Sequence, residues 1–267
     1  MPEGHTLYRL ARSLQQSLGG DIVSSASPQG RFHSSADIVD GHTLLSATSW
    51  GKHLFVSFDG GAMVHVHLGL YGRFEVKPGP PLPPWGQVRW RLVGPRAYAD
   101  LRGATACELL EPGGEEQILA RLGPDPLRSN ADPEQAWLRI QRSKVSIAAL
   151  LMDQTVVAGV GNVYRAEALF RQRLDPRTPG LRVPRETWDA MWTDLQLLLR
   201  DGVKRGRIVT TLPEHRSRRS GAVNRENAYY VYRRTDLPCR ICGTPVRTAE
   251  VAARNLFWCP VCQAPEQ

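Results

Sequence analysis

The sequence has no apolar run that approaches the ~20 residues needed to cross a bilayer. Its first residues, MPEGHTLYRLARSL, include neither the short apolar stretch nor the small-residue cleavage site of a secretory signal. Cysteine is scarce, since the 267 residues include only five. These three shortages favour a soluble, cytoplasmic protein that has no membrane partner and whose cysteines are reduced.

Length and positive charge are what the chain has in abundance. Its 267 residues exceed the ~100–150 of a typical domain, so we expect at least two folded units. The net charge is +8, and all of it comes from the second half: residues 1–130 contain twelve basic and twelve acidic residues, and residues 131–267 contain twenty-two and fourteen. Such a half would attract a phosphate backbone, although a merely solubilising surface would have the same count.

The spacing of apolar residues changes along the chain. Leucines at helical intervals predict a first helix from a cap at Thr6 to a stop at Gly19. Alternating segments typical of antiparallel strands occupy residues 53–58, 62–67 and 87–93. The proline-rich stretch 78–86 predicts a loop, because proline donates no backbone hydrogen bond. Beyond residue 130 the periodicity becomes helical.

We therefore predict a two-domain α+β protein. Residues 1–130 would form a β-sandwich flanked by helices, residues 131–225 a helical domain, and residues 226–267 a zinc finger. In the helical domain, one helix face would bury the apolar residues Trp188, Met191, Trp192, Leu195 and Leu199.

Two CxxC pairs near the C-terminus predict a metal site. The four thiolates belong to Cys239, Cys242, Cys259 and Cys262, and they would complete a closed tetrahedral site for one structural Zn²⁺ ion. With four protein ligands, no position is left for water or substrate, so the metal would stabilise a short segment and not catalyse. The alternative is two disulfides, which would need an oxidising compartment. The fifth cysteine, Cys107, is assigned no role.

Two further segments suggest contacts with a phosphate backbone. The turn from Gly159 to Asn162 lies between two helical stretches, and we expect Asn162 to cap the second helix, whose N-terminus would attract phosphate. Nine Lys or Arg residues lie between Lys204 and Arg234. That basic segment would bind DNA or serve as a mobile, solvated linker.

The N-terminus offers a nucleophile if the initiator methionine is removed. Pro2 would then have a free secondary amine, and an α-amino group has a pKa of ~7.7–8.0 against ~10.4 for lysine. Such an amine condenses with a sugar aldehyde to a cationic iminium, which permits β-elimination of the 3′ phosphate. The neighbouring Glu3 would protonate the opening sugar ring.

Several motifs occur in one order along the chain: MPEG, GKHL around Lys52, HLGLYG at 67–72, LMDQTVVAGVGNVYRAEALF at 151–170, VYRRTDLPC and the four-cysteine finger. Together they resemble the formamidopyrimidine-DNA glycosylase and endonuclease VIII family, over both ends and most of the length. The resemblance implies a bifunctional DNA glycosylase and AP lyase of base-excision repair. It also implies a helix–two-turn–helix DNA-binding domain at 131–225, damaged DNA as the partner and a monomer.

The resemblance assigns roles to individual residues. Pro2 matches the Schiff-base nucleophile, Glu3 the acid, Lys52 the proton donor in β-elimination, and Arg254 the finger arginine of δ-elimination and phosphate binding. The positions that match DNA contacts are His67, Asn162 and Arg121. His65 has no such match and is expected to pack.

Leu70 and Tyr71, in the turn HLGLYG, are suited to fill the stack that a flipped nucleotide leaves, although a buried hairpin corner is the alternative. PEG at the start and the Leu-Tyr pair resemble the endonuclease VIII branch, so oxidised pyrimidines are the leading substrates. Two departures stand out: His5-Thr6 replaces a frequent Pro-Glu, and Gly69 replaces a glutamine of some relatives. An oxidised-purine glycosylase and an inactive, zinc-stabilised damaged-DNA-binding protein are the alternatives.

Overall fold

A computed structural model describes residues 2–217 and 221–264. The backbone divides into two compact units, Met1–Arg121 and Leu122–Gln267. The division lies upstream of residue 130. Among the described helices, none combines the length and the apolar composition that crossing a membrane requires.

The first unit combines a β-sandwich with three helices. Its helices are α1 (Gly4–Leu18), α2 (His33–Val39) and α3 (Gly114–Leu119). Its strands are β1 (Ser24–Ala26), β2 (Leu44–Trp50), β3 (His53–Phe58), β4 (Met63–His67), β5 (Arg73–Pro78), β6 (Val88–Val93), β7 (Ala97–Arg102) and β8 (Ala106–Leu109). The predicted strands at 53–58, 62–67 and 87–93 and the loop between β5 and β6 are confirmed.

Two antiparallel four-stranded sheets form the sandwich, in the orders β1-β6-β7-β5 and β2-β3-β4-β8. Strand alternation supplies the core between them: Leu54 and Val56 of β3 are buried with Trp90 of β6 and Leu101 of β7. The buried leucines of α1 join the same cluster, as their helical spacing predicts. The predicted β-sandwich is therefore confirmed.

The first helix begins earlier than predicted. Glu3 is its N-cap, and the cap is a reciprocal box in which the Glu3 side chain accepts from the backbone of Thr6 while the Thr6 hydroxyl accepts from the Glu3 N–H at 3.4 Å. The prediction of a cap at Thr6 is thus wrong, because Thr6 is the third helical residue and the partner of the cap. Pro2 stands directly before the helix.

The second unit is helical with a small terminal hairpin. Its helices are α4 (Pro133–Ile140), α5 (Ile147–Leu150), α6 (Asn162–Arg171) and α7 (Arg185–Arg205), and its strands are β9 (Arg247–Val251) and β10 (Arg254–Trp258). The core includes the predicted face of α7, where Trp188, Met191 and Leu195 are fully buried. Residues of α6 and of the hairpin belong to the same cluster.

A carboxylate inside this unit fixes the segment that leads to the finger. Glu167 of α6 is fully buried and accepts the backbone N–H groups of Tyr230 at 2.7 Å and of Val231 and Tyr232 at 2.8 Å each. The hydroxyl of Thr210 donates to it as well. The basic segment is therefore anchored near both of its ends within the described residues 204–217 and 221–234, which is unlike a solvated linker.

Candidate functional site

The predicted nucleophile and acid lie immediately before α1. The Glu3 side chain is fully buried and takes part in the capping box, while Pro2 is half-buried. His5, in the first turn of the helix, is also buried, and its pKa falls to about 4 because of burial, then the positive amino terminus, then Arg9. The departure His5-Thr6 therefore places a neutral imidazole in the first turn of α1 and a hydroxyl that completes the capping box of Glu3.

Lys52 occupies a two-residue turn between β2 and β3. Trp50 pairs with His53 across that turn, and Gly51 takes the positive φ of 56° that a tight hairpin requires at its first central position. Lys52 is half-buried, and its charge helps to lower the pKa of both His53 and His67. The turn thus presents the ammonium near two imidazoles.

His67 ends β4 and pairs with His53 of β3. Its Nδ1 accepts the backbone N–H of Gly69 at 3.2 Å, which leaves Nε2 as the nitrogen that bears the proton in the neutral ring. Burial lowers the pKa of His67, with smaller effects from His65 and Lys52. A neutral His67 therefore offers a hydrogen-bond donor at the end of the strand.

The HLGLYG turn exposes both predicted wedge residues. Leu70 is 41% exposed and Tyr71 is 85% exposed, so the alternative of a buried hairpin corner is excluded. Gly69 has a φ of 65°, and a Cβ there would lie 1.9 Å from Thr105 Oγ1. A Cβ on Gly72 would lie 2.2 Å from the Leu68 carbonyl oxygen. The Gly69 departure is therefore demanded by the turn, because a glutamine would clash with Thr105.

Arg121 is exposed at the end of the first unit, and its Nε donates to the Gln117 carbonyl at 3.1 Å. Its charge contributes to the low pKa of His53. The structure thus brings Lys52, His67 and Arg121 into the electrostatic surroundings of one histidine, His53.

Asn162 does not cap α6, contrary to the prediction. Gly161 is the N-cap, and Asn162 is the first helical residue. Its side-chain amide is buried and bonded within the protein. Nδ2 donates to the Asn255 carbonyl at 3.0 Å, and Oδ1 accepts from Arg165. Arg165, which is fully buried, also donates to the carbonyls of Asn255 and Val251. The side-chain amide of Asn162 therefore does not cap α6. It attaches α6 to the hairpin formed by β9 and β10.

That hairpin carries Arg254. Val251 pairs with Arg254 around a two-residue turn in which Ala252 and Ala253 both have a φ of 54°. Two positive φ values match a type I′ turn, which usually contains Asn and Gly. Arg254 is exposed, and its Nη1 donates to the Ala253 carbonyl at 2.8 Å. Arg254 therefore lies directly after the turn at the tip of the hairpin.

The four paired cysteines converge at the other end of the hairpin, and their sulfurs all lie within 4.8 Å of one another. The Sγ atoms of Cys239 and Cys262 are 3.8 Å apart, and those of Cys242 and Cys259 are 3.4 Å apart. In a tetrahedron with Zn–S bonds of about 2.3 Å, the sulfurs lie about 3.8 Å apart. The geometry therefore fits one closed zinc site with four ligands. Cys107 is buried elsewhere, and burial raises the pKa of its thiol to about 12.

Sequence reasoning missed two groups of residues. Glu167 lies within a helical run, where nothing marks a glutamate as buried. From the sequence, His65 is expected only to pack and His53 is given no role, yet His53 Nδ1 lies 2.9 Å from His65 Nε2, and His65 Nδ1 lies 2.8 Å from Glu108 Oε1. The alternation of histidine with valine in VHVH was the one available signal, because it places polar rings on a single face.

Comparison with known proteins adds three matches to family models. They are the formamidopyrimidine-DNA glycosylase N-terminal domain over residues 1–107, the H2TH domain of the same glycosylase over residues 122–214, and a zinc finger found in FPG and IleRS over residues 236–265.

Individual relatives extend over almost the whole chain. Endonuclease 8 1 of Mycobacterium tuberculosis is 53% identical over 267 residues, covering 98% of this chain and 100% of the relative. The formamidopyrimidine-DNA glycosylase of Bordetella parapertussis is 33% identical and covers 85% and 84%. Among solved structures, the MutM (Fpg) protein of Thermus thermophilus aligns over 100% of both chains, with a TM-score of 0.78 and 28% identity.

Proposed function

The chain belongs to the formamidopyrimidine-DNA glycosylase and endonuclease 8 family of base-excision-repair glycosylases with AP lyase activity, and we propose that it removes oxidised pyrimidines by attack of Pro2 on the damaged nucleotide. The observation that carries this proposal is the position of Pro2 directly before Glu3, the N-cap of α1. The carboxyl of Glu3 is buried and held in place by the capping box.

Removal of Met1 frees the secondary amine of Pro2. The positive end of the helix disfavours a second positive charge nearby, so it favours the unprotonated amine, which is the nucleophile. The amine attacks C1′ of the damaged nucleotide, the base departs, and the ring-opened sugar is held as an iminium. Glu3 donates the proton that opens the sugar ring.

Two cationic residues complete the strand cleavage. Lys52 supplies the proton for β-elimination of the 3′ phosphate. Arg254, at the tip of the finger hairpin, binds phosphate and assists the second, δ-elimination. Its guanidinium is exposed, and the hairpin that carries it is bound by Asn162 and Arg165 of α6.

One structural Zn²⁺ ion, held by the four paired cysteines, would order the turn at the base of that hairpin. The sulfur geometry supports this role. The ion closes the finger; the chemistry of the reaction stays with the side chains of the protein.

Damaged DNA is the proposed partner. His67 and Arg121 would contact its backbone in the first unit. In the second unit, the contact of Asn162 with the DNA backbone would be made by its backbone N–H at the start of α6, because its side-chain amide is already bonded within the protein. Leu70 and Tyr71 would fill the vacated stack, and their exposure supports that role.

A trapping assay tests the proposal. Protein without Met1 is mixed with duplexes containing thymine glycol, 8-oxoguanine or an abasic site, and borohydride is added. Of the two damaged bases, thymine glycol should give the faster formation of a covalent complex, and the yield of that complex should fall sharply in Pro2→Gly, whose primary amine lacks the proline ring. Pro81→Gly, in the exposed loop between β5 and β6, is the matched control and should trap as the wild type does.

Faster trapping on 8-oxoguanine would favour the purine-glycosylase alternative. If every substrate binds and none is trapped, the protein is a damaged-DNA-binding protein without activity, and the proposed reaction is refuted.

A further inference from the structure

A row of polar residues lies on the outer face of the sheet β2-β3-β4-β8. Leu54 and Val56 of β3 and Val64 and Val66 of β4 all point into the core and are fully buried. The alternate residues therefore face the other way. They include His53 of β3, His65 and His67 of β4, and Glu108 of β8, which register brings side by side: His53 pairs with His67, and His65 pairs with Glu108.

Three of these residues are joined by two hydrogen bonds. His53 Nδ1 lies 2.9 Å from His65 Nε2, and His65 Nδ1 lies 2.8 Å from Glu108 Oε1. The His53 and His65 rings stack at a centroid distance of 5.1 Å with 17° between their planes. His65 is 4% exposed, whereas the Glu108 side chain is 56% exposed. The hydrogen-bonded row thus begins at the solvated carboxylate of Glu108 and passes through the buried ring of His65 to His53.

The hydrogen bonds determine which nitrogen of each ring bears a proton. An ionised carboxylate only accepts, so His65 Nδ1 must donate to Glu108. In a neutral His65, Nε2 then has the lone pair and accepts, and His53 Nδ1 must donate to it. A neutral His53 therefore has its remaining lone pair on Nε2. Glu108 thus sets the tautomer of His53 through two successive hydrogen bonds, with His65 between them.

The surroundings of His53 keep that ring neutral. Burial lowers its pKa to about 3, and His65, His67, Arg121 and Lys52 act in the same direction because none of them favours a second charged group nearby. His65 and His67 come from β4, Arg121 follows α3, and Lys52 lies in the turn before β3, whereas the neighbouring strand β2 supplies no titratable group. Glu108 of β8 is the acidic group of the row. A neutral acceptor is consequently placed in the surroundings of two cations, Lys52 and Arg121.

We propose that Glu108 and His65 are positioning residues that hold the neutral His53 imidazole in the tautomer with an accepting Nε2, and that this acceptor orients the ammonium of the adjacent Lys52 for strand cleavage. The inference rests on the proposed function, which gives Lys52 the proton for β-elimination. An acceptor beside the Lys52 ammonium limits the orientations that the ammonium can take, whereas a protonated His53 would repel it and the other tautomer would present a second donor.

Glu108→Gln tests the chain because the amide is nearly isosteric and the side chain is largely exposed, so folding is preserved. A glutamine can accept from His65 Nδ1 or donate to it, and the preference for one tautomer is lost. Glu111→Gln, an exposed residue on the same segment, is the control for the loss of one negative charge.

The first readout is the tautomeric state, measured by NMR on protein labelled with ¹⁵N-histidine. We expect Nδ1–H signals for both His53 and His65 in the wild type and in Glu111→Gln, and a mixture in Glu108→Gln. Nε2–H signals for both rings in the wild type would overturn the proposal. This measurement needs no substrate, so it stands or falls independently of Pro2 trapping.

The second readout is single-turnover β-elimination on abasic-site DNA at saturating enzyme, with the Kd for the same DNA measured alongside. We expect Glu108→Gln to slow elimination by about tenfold, the lower end of the effect that loss of a carboxylate partner has at metal-bound histidines, with Kd unchanged. A native rate despite mixed tautomers would refute the functional part. A rise in Kd with a native rate would also contradict it. If the wild type fails to trap on any substrate, the proposed function fails while the NMR result still decides the tautomer chain.

Discussion

Replacement of Glu167 by glutamine tests how the second unit is held together. In the wild type, Oε2 accepts from Tyr230 N and from the Thr210 hydroxyl, and Oε1 accepts from the backbone N–H groups of Val231 and Tyr232. A glutamine has one accepting oxygen. Its best orientation keeps the two bonds of Oε1, so the new NH₂ group faces the buried N–H of Tyr230.

The size of the effect follows from that geometry. A buried donor without an acceptor costs about 1–3 kcal/mol, and the two remaining bonds weaken because the acceptor is no longer charged. We therefore expect Glu167→Gln to lower the free energy of unfolding by about 2–4 kcal/mol. For a chain of this size, that corresponds to a fall in Tm of roughly 5–15 °C. Glu167→Ala would cost more, because three buried N–H groups would lose their acceptor.

The assay combines urea unfolding with hydrogen exchange read at the peptide that contains Tyr230–Tyr232. In Glu167→Gln, these amides should exchange faster at urea concentrations well below the unfolding transition. Glu250→Gln, an exposed residue on β9, is the control and should stay within about 0.5 kcal/mol of the wild type. If Glu167→Gln matches that control in both measurements, the carboxylate does not anchor the segment and our reasoning fails.

Further predictions concern the finger, the wedge turn and acid stability. Arg254→Ala should retain β-elimination and lose δ-elimination on gel analysis of cleaved DNA; unchanged product ratios at equal DNA occupancy would remove this residue from the mechanism. Removal of zinc by a chelator should lower DNA affinity by disordering the finger, and verified metal-free protein that binds normally would show that the finger is not needed. Gly69→Ala should cost more stability than Gly79→Ala, because both have a positive φ but only the first would meet Thr105, and denaturant unfolding of the two variants should show the difference. The pKa of His5 is lowered to about 4, so the protein loses stability as the pH falls from the usual histidine value of 6.5 towards 4, because the unfolded chain takes up a proton that the folded chain excludes. His5→Asn should reduce the slope of the free energy of unfolding against pH in this window by the equivalent of up to one proton. An unchanged slope would contradict the burial argument.

Periodicity and composition allowed several elements to be predicted from the sequence. The strands at 53–58 and 62–67 and the apolar face of α7 were predicted because side-chain alternation and helical spacing are local properties. The four-cysteine site was predicted for a similar reason, since a CxxC pair brings two sulfurs close enough to bind the same metal ion. Roles for Pro2, Lys52 and Arg254 came from the resemblance, and they remain proposals.

The caps were harder to predict because a helix end depends on competing hydrogen bonds. Thr6 and Asn162 are both good capping residues, yet each lies inside its helix. Thr6 serves Glu3, and Asn162 is drawn to the carbonyl of Asn255, which is 93 residues away in sequence. A local propensity could not reveal the second partner.

By itself, the sequence determined the order of the elements, the β-sandwich and helical classes, the metal-binding pairs and the start of α1 to within a few residues, because these depend on neighbours along the chain. The tertiary structure alone decided that Glu108, His65 and His53 are joined by hydrogen bonds, that Glu167 accepts the backbone N–H groups of residues 230–232, and that a side chain at position 69 would meet Thr105. Each of these depends on strand register or on helix packing between distant segments. Hydrogen bonds and steric contacts act over a few ångströms, so only the folded chain shows which residues share them.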